Sequence, residues 1–134
     1  MPNNIPYDPC GHTKLAVSDY KKSCIFYKGL FEKLGYKQTF SKDSSAGWAS
    51  PGGYGIMIAE AKIPCYKYKH GAPGLYHICF KADSKEKVDQ ICQFLILKDV
   101  FILSAPKKHP EFTSKYYNVL FTDPDGIKLE VAFY

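Results

Sequence analysis

Two stretches of the chain share one design, and this repeat constrains the fold more than any other feature. His12-Thr-Lys-Leu-Ala-Val-Ser-Asp19 is matched by His77-Ile-Cys-Phe-Lys-Ala-Asp-Ser84. Each starts with His, alternates for about six residues as a two-faced strand does, and ends on Ser or Asp, residues that cap helices. In the first copy Leu15 and Val17 share one face, with His12, Lys14 and Ala16 on the other. In the second, Ile78 and Phe80 oppose His77, Cys79 and Lys81.

A helix is expected after each strand. Ser18 or Asp19 caps the first, with Cys24, Phe26, Tyr27, Leu30, Phe31 and Leu34 at helical spacing and Gly35 as its stop. Ser84 caps the second, whose stripe is Val88, Ile91, Cys92, Leu95 and Ile96. Three strands follow each helix, near 36–41, 47–50 and 55–59, then near 101–104, 116–122 and 128–133. Turns separate them at 41–45, at Pro51-Gly-Gly53 and at Asp123-Pro-Asp-Gly126, the last a strong hairpin signal. The order is βαβββ twice. The fold class is α+β: two modules, about 11–62 and 76–134, joined by a Pro- and Gly-bearing linker at 63–75. They are expected to form a single domain over 1–134, a curved mixed-sheet cup with the helices on its outer face.

The parity that points away from the helices carries His12, His77 and Glu130, with Leu129, Val131 and Phe133 opposite the glutamate. A carboxylate on a covered face is costly unless something pairs with it. Two imidazoles and one carboxylate form a three-ligand set that leaves positions open on a metal ion. The same parity adds Met57 and Ala59, then Tyr116, Asn118 and Leu120, with Trp48 as an aromatic wall. Trp48, Met57, Tyr116 and Asn118 are therefore the candidate substrate-binding residues. Glu60 and Tyr116 are weak candidates for a catalytic acid or base, Glu60 weaker because its face is wrong. Lys14, Lys81 and Lys128 share the inner parity and would favour an anionic small molecule. His70 and His109 fall in loops and read as surface residues.

The stretches Gly11-His-Thr-Lys-Leu-Ala-Val-Ser-Asp19 with Cys24-Ile-Phe-Tyr27, Tyr76-His77-Ile-Cys-Phe80, and Leu120-Phe-Thr-Asp-Pro-Asp-Gly-Ile-Lys-Leu-Glu130 resemble the vicinal-oxygen-chelate superfamily. That superfamily holds glyoxalase I, fosfomycin-resistance proteins, bleomycin-resistance proteins and extradiol dioxygenases. The resemblance implies that His12, His77 and Glu130 hold a divalent ion such as Zn, Ni, Mn or Fe. It also implies a lyase, transferase or dioxygenase acting on a small molecule with neighbouring oxygens. A homodimer, with ligands donated by both chains, is a further implication. The alternative within the same fold is a metal-free protein that sequesters a drug-like ligand. Glyoxalase I adds a carboxylate ligand from the first module. Aligning Gly55-Ile-Met-Ile with Gly126-Ile-Lys-Leu puts Ala59 rather than Glu60 at Glu130's place, so three protein ligands are expected.

Composition excludes other classes. Charged residues are 23% of the chain and the formal charge is +5, but the lysines are dispersed, so a nucleic-acid partner is not expected. No apolar run is long enough to span a membrane, and Met1 to Asp8 lacks the apolar core of a signal peptide. Five cysteines, an odd number without zinc-knuckle spacing, fit free thiols in a reducing compartment, hence a cytoplasmic location.

Overall fold

The computed structural model describes residues 8–134 and divides them between Tyr66 and Lys67 into two compact units. The reading of Met1–Asp8 as no leader falls on residues 1–7 and lies outside the described residues.

The first unit runs β1 (His12–Val17), α1 (Tyr20–Lys33), β2 (Lys37–Ser41), β3 (Ser45–Ala49) and β4 (Gly55–Glu60). Its sheet has the order β1-β4-β3-β2, with β1 parallel to β4 and the other pairs antiparallel. The second runs β5 (Ile78–Lys81), α2 (Lys85–Leu97), β6 (Ile102–Lys108), β7 (Tyr117–Thr122) and β8 (Lys128–Phe133), ordered β5-β8-β7-β6 with the same directions. The repeated βαβββ pattern and the α+β class are thus as the sequence foretells. A parallel pair cannot be joined by a tight turn, so the helix and two strands between β1 and β4, and between β5 and β8, form the crossover.

Alternation decides which face each helix covers. Leu15, Val17, Trp48, Ile56 and Ile58 are buried on one face of the sheet, as are Tyr27, Leu30 and Phe31 of α1, and Phe31 packs on Trp48. In the second unit Phe80, Val119, Phe121, Leu129 and Val131 are buried, as are Val88, Ile91, Cys92 and Leu95 of α2. Each such aliphatic or aromatic side chain contributes about 1.5–3 kcal/mol by leaving water. The opposite face of each sheet has no helix of its own unit upon it.

The helix ends follow from local chemistry. Asp19 accepts a bond from the Lys22 N–H, and Ser84 from the Lys87 N–H. At the end of α1, Gly35 adopts φ 79° while its N–H reaches the Glu32 carbonyl and the Tyr36 N–H reaches that of Phe31. The Tyr36 ring stacks on Phe31 at 4.9 Å, the apolar contact that accompanies this closure. At the end of α2 the same pair of bonds forms from Asp99 and Val100 to Ile96 and Leu95, but the left-handed residue is Asp99, φ 56°. A side chain costs energy there that glycine avoids, offset in part by glycine's freer unfolded chain. Asp99→Gly is therefore expected to stabilise the protein by about 0.5 kcal/mol in urea denaturation. A loss of stability would show that the Asp99 side chain makes a compensating contact.

Several boundaries depart from expectation. Strand β3 starts at Ser45, because Lys42 N–H bonds to the Ser45 carbonyl and shortens the turn. Strand β6 runs to Lys108 instead of stopping near 104. It carries register shifts on both sides of Ser104, and it is an edge strand, the one place where Pro106 is tolerated. His77 lies one residue before β5 and Tyr116 one before β7. Ile96, assigned to the buried stripe, is 50% exposed.

Candidate metal centre

Glu130 sits at the centre of β8 on the face away from α2, and it is only 5% exposed. Its neighbours across the sheet are Cys79 on β5 and Leu120 on β7. A carboxylate so placed needs donors. Oε1 has two: the Tyr116 hydroxyl at 2.5 Å and Asn118 Nδ2 at 2.8 Å. Oε2 faces His77, whose Nε2 is 3.3 Å away. One oxygen is thus saturated by hydrogen bonds, and the other faces an imidazole that remains about one-third exposed, at 35%, with the Cys79 thiol also against the carboxylate.

Tyr116 and Asn118 were expected to line a pocket for substrate. The structure gives them another task first, which is to hold Glu130. A carboxylate can only accept, so it fixes the Asn118 amide with Nδ2 toward Glu130. That orientation leaves Asn118 Oδ1 buried and without a partner. Burial, reinforced by the bond to Glu130, raises the Tyr116 pKa and keeps the phenol protonated as a donor. Cys79 belongs to the same cluster. Burial and then the Glu130 charge push its thiol up to about 12, so it is a neutral thiol at neutral pH. Its alternation with His77 placed it on this face, but nothing in the sequence marked it as a neighbour of the carboxylate.

In the first unit His12 opens β1 and is exposed. It pairs in register with Gly55. A Cβ on Gly55 would come within 2.9 Å of the His12 Cβ, so the glycine makes room for the base of the His12 side chain. Met57 lies next along this face, half-buried, between Lys14 and Gly47. A Cβ on Gly47 would overlap the Phe40 ring, which lies flat over the glycine and was not foreseen as part of this face.

Two expected site residues are elsewhere. Trp48 is 1% exposed and packs on Phe31 of α1 at 5.2 Å, so it is helix-side core rather than a pocket wall. Its pairing with Ile56 puts both on that side, which alternation would have shown had the strand been started at Ser45. Glu60 pairs with Val17 at the end of β4, on the helix side and exposed, as its parity suggested; this argues against a role as base.

The strand registers also correct the repeat alignment. Thr13 pairs with Ile56 as Ile78 pairs with Leu129, so the residue equivalent to Glu130 is Met57, not Ala59. The first module therefore has an apolar side chain where the second has its carboxylate. A slip of two residues preserves the face, which is why parity alone did not expose the error.

Among the described residues, no group of three or more His, Cys, Asp or Glu side chains is gathered as a metal site. His77 and Glu130 come together in the second unit; His12 belongs to the first. His109, expected at the surface, has a side chain only 15% exposed. Its Nδ1 is 2.8 Å from Glu111, whose carboxyl it holds below the usual range, and its Nε2 is buried without a partner. Its ring contacts Phe112 and Tyr116, a cluster that the loop sequence gave no periodic signal to find.

Residues 10–131 match the family model described as the Glyoxalase/Bleomycin resistance protein/Dioxygenase superfamily. The Bacillus subtilis (strain 168) protein YqjT, itself uncharacterized, is 33% identical over 123 residues, covering 90% of this chain and 95% of that protein. The metallothiol transferase FosB of Lysinibacillus sphaericus (strain C3-41) is 29% identical, covering 89% of this chain and 77% of FosB. A crystal structure from Bacillus halodurans, of a protein assigned as a glyoxalase, superposes with a TM-score of 0.83 at 26% identity, covering 94% of this chain and 96% of the other.

Proposed function

Because the chain belongs to the Glyoxalase/Bleomycin resistance protein/Dioxygenase superfamily, we propose that it is a divalent-metal-dependent enzyme acting on a small molecule with two neighbouring oxygens. The proposed ligands are His12, His77 and Glu130, for Zn, Ni, Mn or Fe. The observation that carries this reading is the half-committed carboxylate. Glu130 is buried, its Oε1 is satisfied twice by firm hydrogen bonds, and its Oε2 faces the half-open His77 imidazole. A purely structural Glu would use both oxygens, because a buried acceptor left short of donors costs stability. Imidazole and carboxylate donors suit the borderline ions named above.

Such an ion would supply Lewis-acid polarisation of substrate oxygens. The protein's own groups do the rest. Tyr116 and the Asn118 amide fix the carboxylate's rotamer, as hydrogen-bonded partners of ligands do. Met57, half-buried on the face of β4 that carries no helix of its own unit, supplies apolar contact. A lyase, transferase or dioxygenase step is compatible with these parts; the metallothiol transferase relative supports the transferase member of that set. The five free thiols suit a cytoplasmic setting, and no described helix is long and apolar enough to cross a membrane. The working assembly is proposed as a homodimer.

Elemental analysis after equilibration with each ion tests the site. The wild-type protein is expected to retain one ion per chain, and His77→Ala and His12→Ala to lose it. Full stoichiometry in His77→Ala would remove the proposal.

A further inference from the structure

Beside Glu130 the second unit displays a run of aromatic rings that extends well past the one that holds the carboxylate. Tyr116, whose hydroxyl holds Glu130, stacks on Tyr134 with centroids 5.0 Å apart and planes within 10°. On its other side Phe112 meets it edge to face at 5.2 Å. His109 stacks on Phe112 at 5.5 Å, and the Phe112 N–H bonds to the His109 carbonyl at 3.0 Å, so a backbone turn brings the two rings together. Phe112 is 64% exposed and Tyr134 48%. Exposed rings locked in one arrangement form a contact surface at low entropic cost, unlike a flexible apolar side chain that happens to face water.

The run ends on a cation. Lys81 Nζ lies over the Tyr134 ring, 4.2 Å from its centroid. No acidic side chain forms an ion pair with Lys81 among the described residues. The carboxylate end and the cationic end of the shelf are therefore distinct. The second strand-face lysine, Lys128, sits over Tyr76 at 5.4 Å, on the far side of Glu130 along β8.

We infer that the substrate of this site is an anionic molecule carrying a planar ring. The ring packs against the exposed Phe112 and the open edge of Tyr134, its acid group pairs with Lys81, and its reactive oxygens reach toward Glu130. The inference rests on the proposed function for the last clause only; the shelf and its cation stand without a metal.

The test uses EDTA-treated full-length protein and three probes: phenylacetate, acetate and benzyl alcohol, titrated by NMR. Phenylacetate is expected to bind about tenfold more tightly than acetate and about fivefold more tightly than benzyl alcohol, the upper ranges for one ring contact and one exposed charge contact. Phe112→Ala and Tyr134→Leu are expected to bring phenylacetate down to the acetate value, and Lys81→Met to the benzyl alcohol value. Phe112 and Lys81 are exposed, so those variants keep the fold, which far-UV circular dichroism verifies. Equal affinity for phenylacetate and acetate, or full phenylacetate binding in Phe112→Ala, would overturn the inference. Zinc uptake is measured on the same proteins and is expected to match wild type in Phe112→Ala. Discrimination without zinc uptake would remove the metal site and leave the shelf; zinc uptake without discrimination would do the reverse.

Discussion

Glu130→Gln is expected to fold normally yet bind zinc at least about 100-fold more weakly than the wild-type protein, the upper end of what even an indirect partner of a metal ligand contributes. The substitution is almost isosteric. The glutamine carbonyl replaces Oε1 and still accepts from the Tyr116 hydroxyl and Asn118 Nδ2. Its amide nitrogen replaces Oε2, the atom 3.3 Å from His77 Nε2. An amide nitrogen offers no lone pair to a cation and carries no charge. The change therefore strikes the oxygen that faces His77 and spares the hydrogen bonds of the other. Competition with a chromophoric chelator gives the affinity, and thermal denaturation gives the control. An unchanged zinc constant in a folded Glu130→Gln protein would dismiss Glu130 as a ligand. A collapse of the fold in this variant, with zinc binding retained in whatever remains folded, would point instead to a purely architectural carboxylate.

Phe31→Ala is expected to cost about 3–5 kcal/mol, the range for deleting a buried aromatic ring. Phe31 is 0% exposed and stands where three rings meet: Tyr27 at 5.5 Å, Tyr36 at 4.9 Å and Trp48 at 5.2 Å. Tyr27 and Trp48 are themselves buried and cannot swing into the vacancy without opening others. Tyr36 is also the residue whose N–H closes the end of α1 on the Phe31 carbonyl, so the loss loosens the helix terminus as well as the core. Urea denaturation followed by circular dichroism measures the effect. A loss below about 1 kcal/mol would mean that the surrounding rings repack to fill the space, contrary to the cost such cavities usually carry.

Alternation carried most of what the sequence could reveal. His12, Lys14 and Ala16 do lie opposite Leu15 and Val17, because a strand's side chains alternate whatever its surroundings. The caps at Asp19 and Ser84 were readable because a short oxygen-bearing side chain is the usual partner of a free helix N–H. Asp99 was not readable as a helix end, since the left-handed position usually announces itself as glycine. Trp48 was misplaced for a different reason: a start at 47 gave too few residues to fix its parity, whereas Ser45–Ala49 pairs with β4 along its full length. The grip of Tyr116 and Asn118 on Glu130 was invisible. Parity said that these groups share a face, but the register puts Leu120 opposite Glu130, and only the side-chain geometry shows Tyr116 and Asn118 reaching it diagonally. His109 and Phe112 lie in a hairpin loop, where no period exists to be read.

The match between Met57 and Glu130 makes the two modules unequal twins. One backbone plan has been dressed once with an acid gripped by a phenol and an amide, and once with a thioether beside a glycine roofed by Phe40. A chemist wishing to move the acidic function to the other half would find the location ready but its accessories missing, since Ser45 pairs with Ala59 where Asn118 pairs with Ala132. Division of labour between duplicates here resides in a handful of side chains, while the scaffold beneath them has stayed the same.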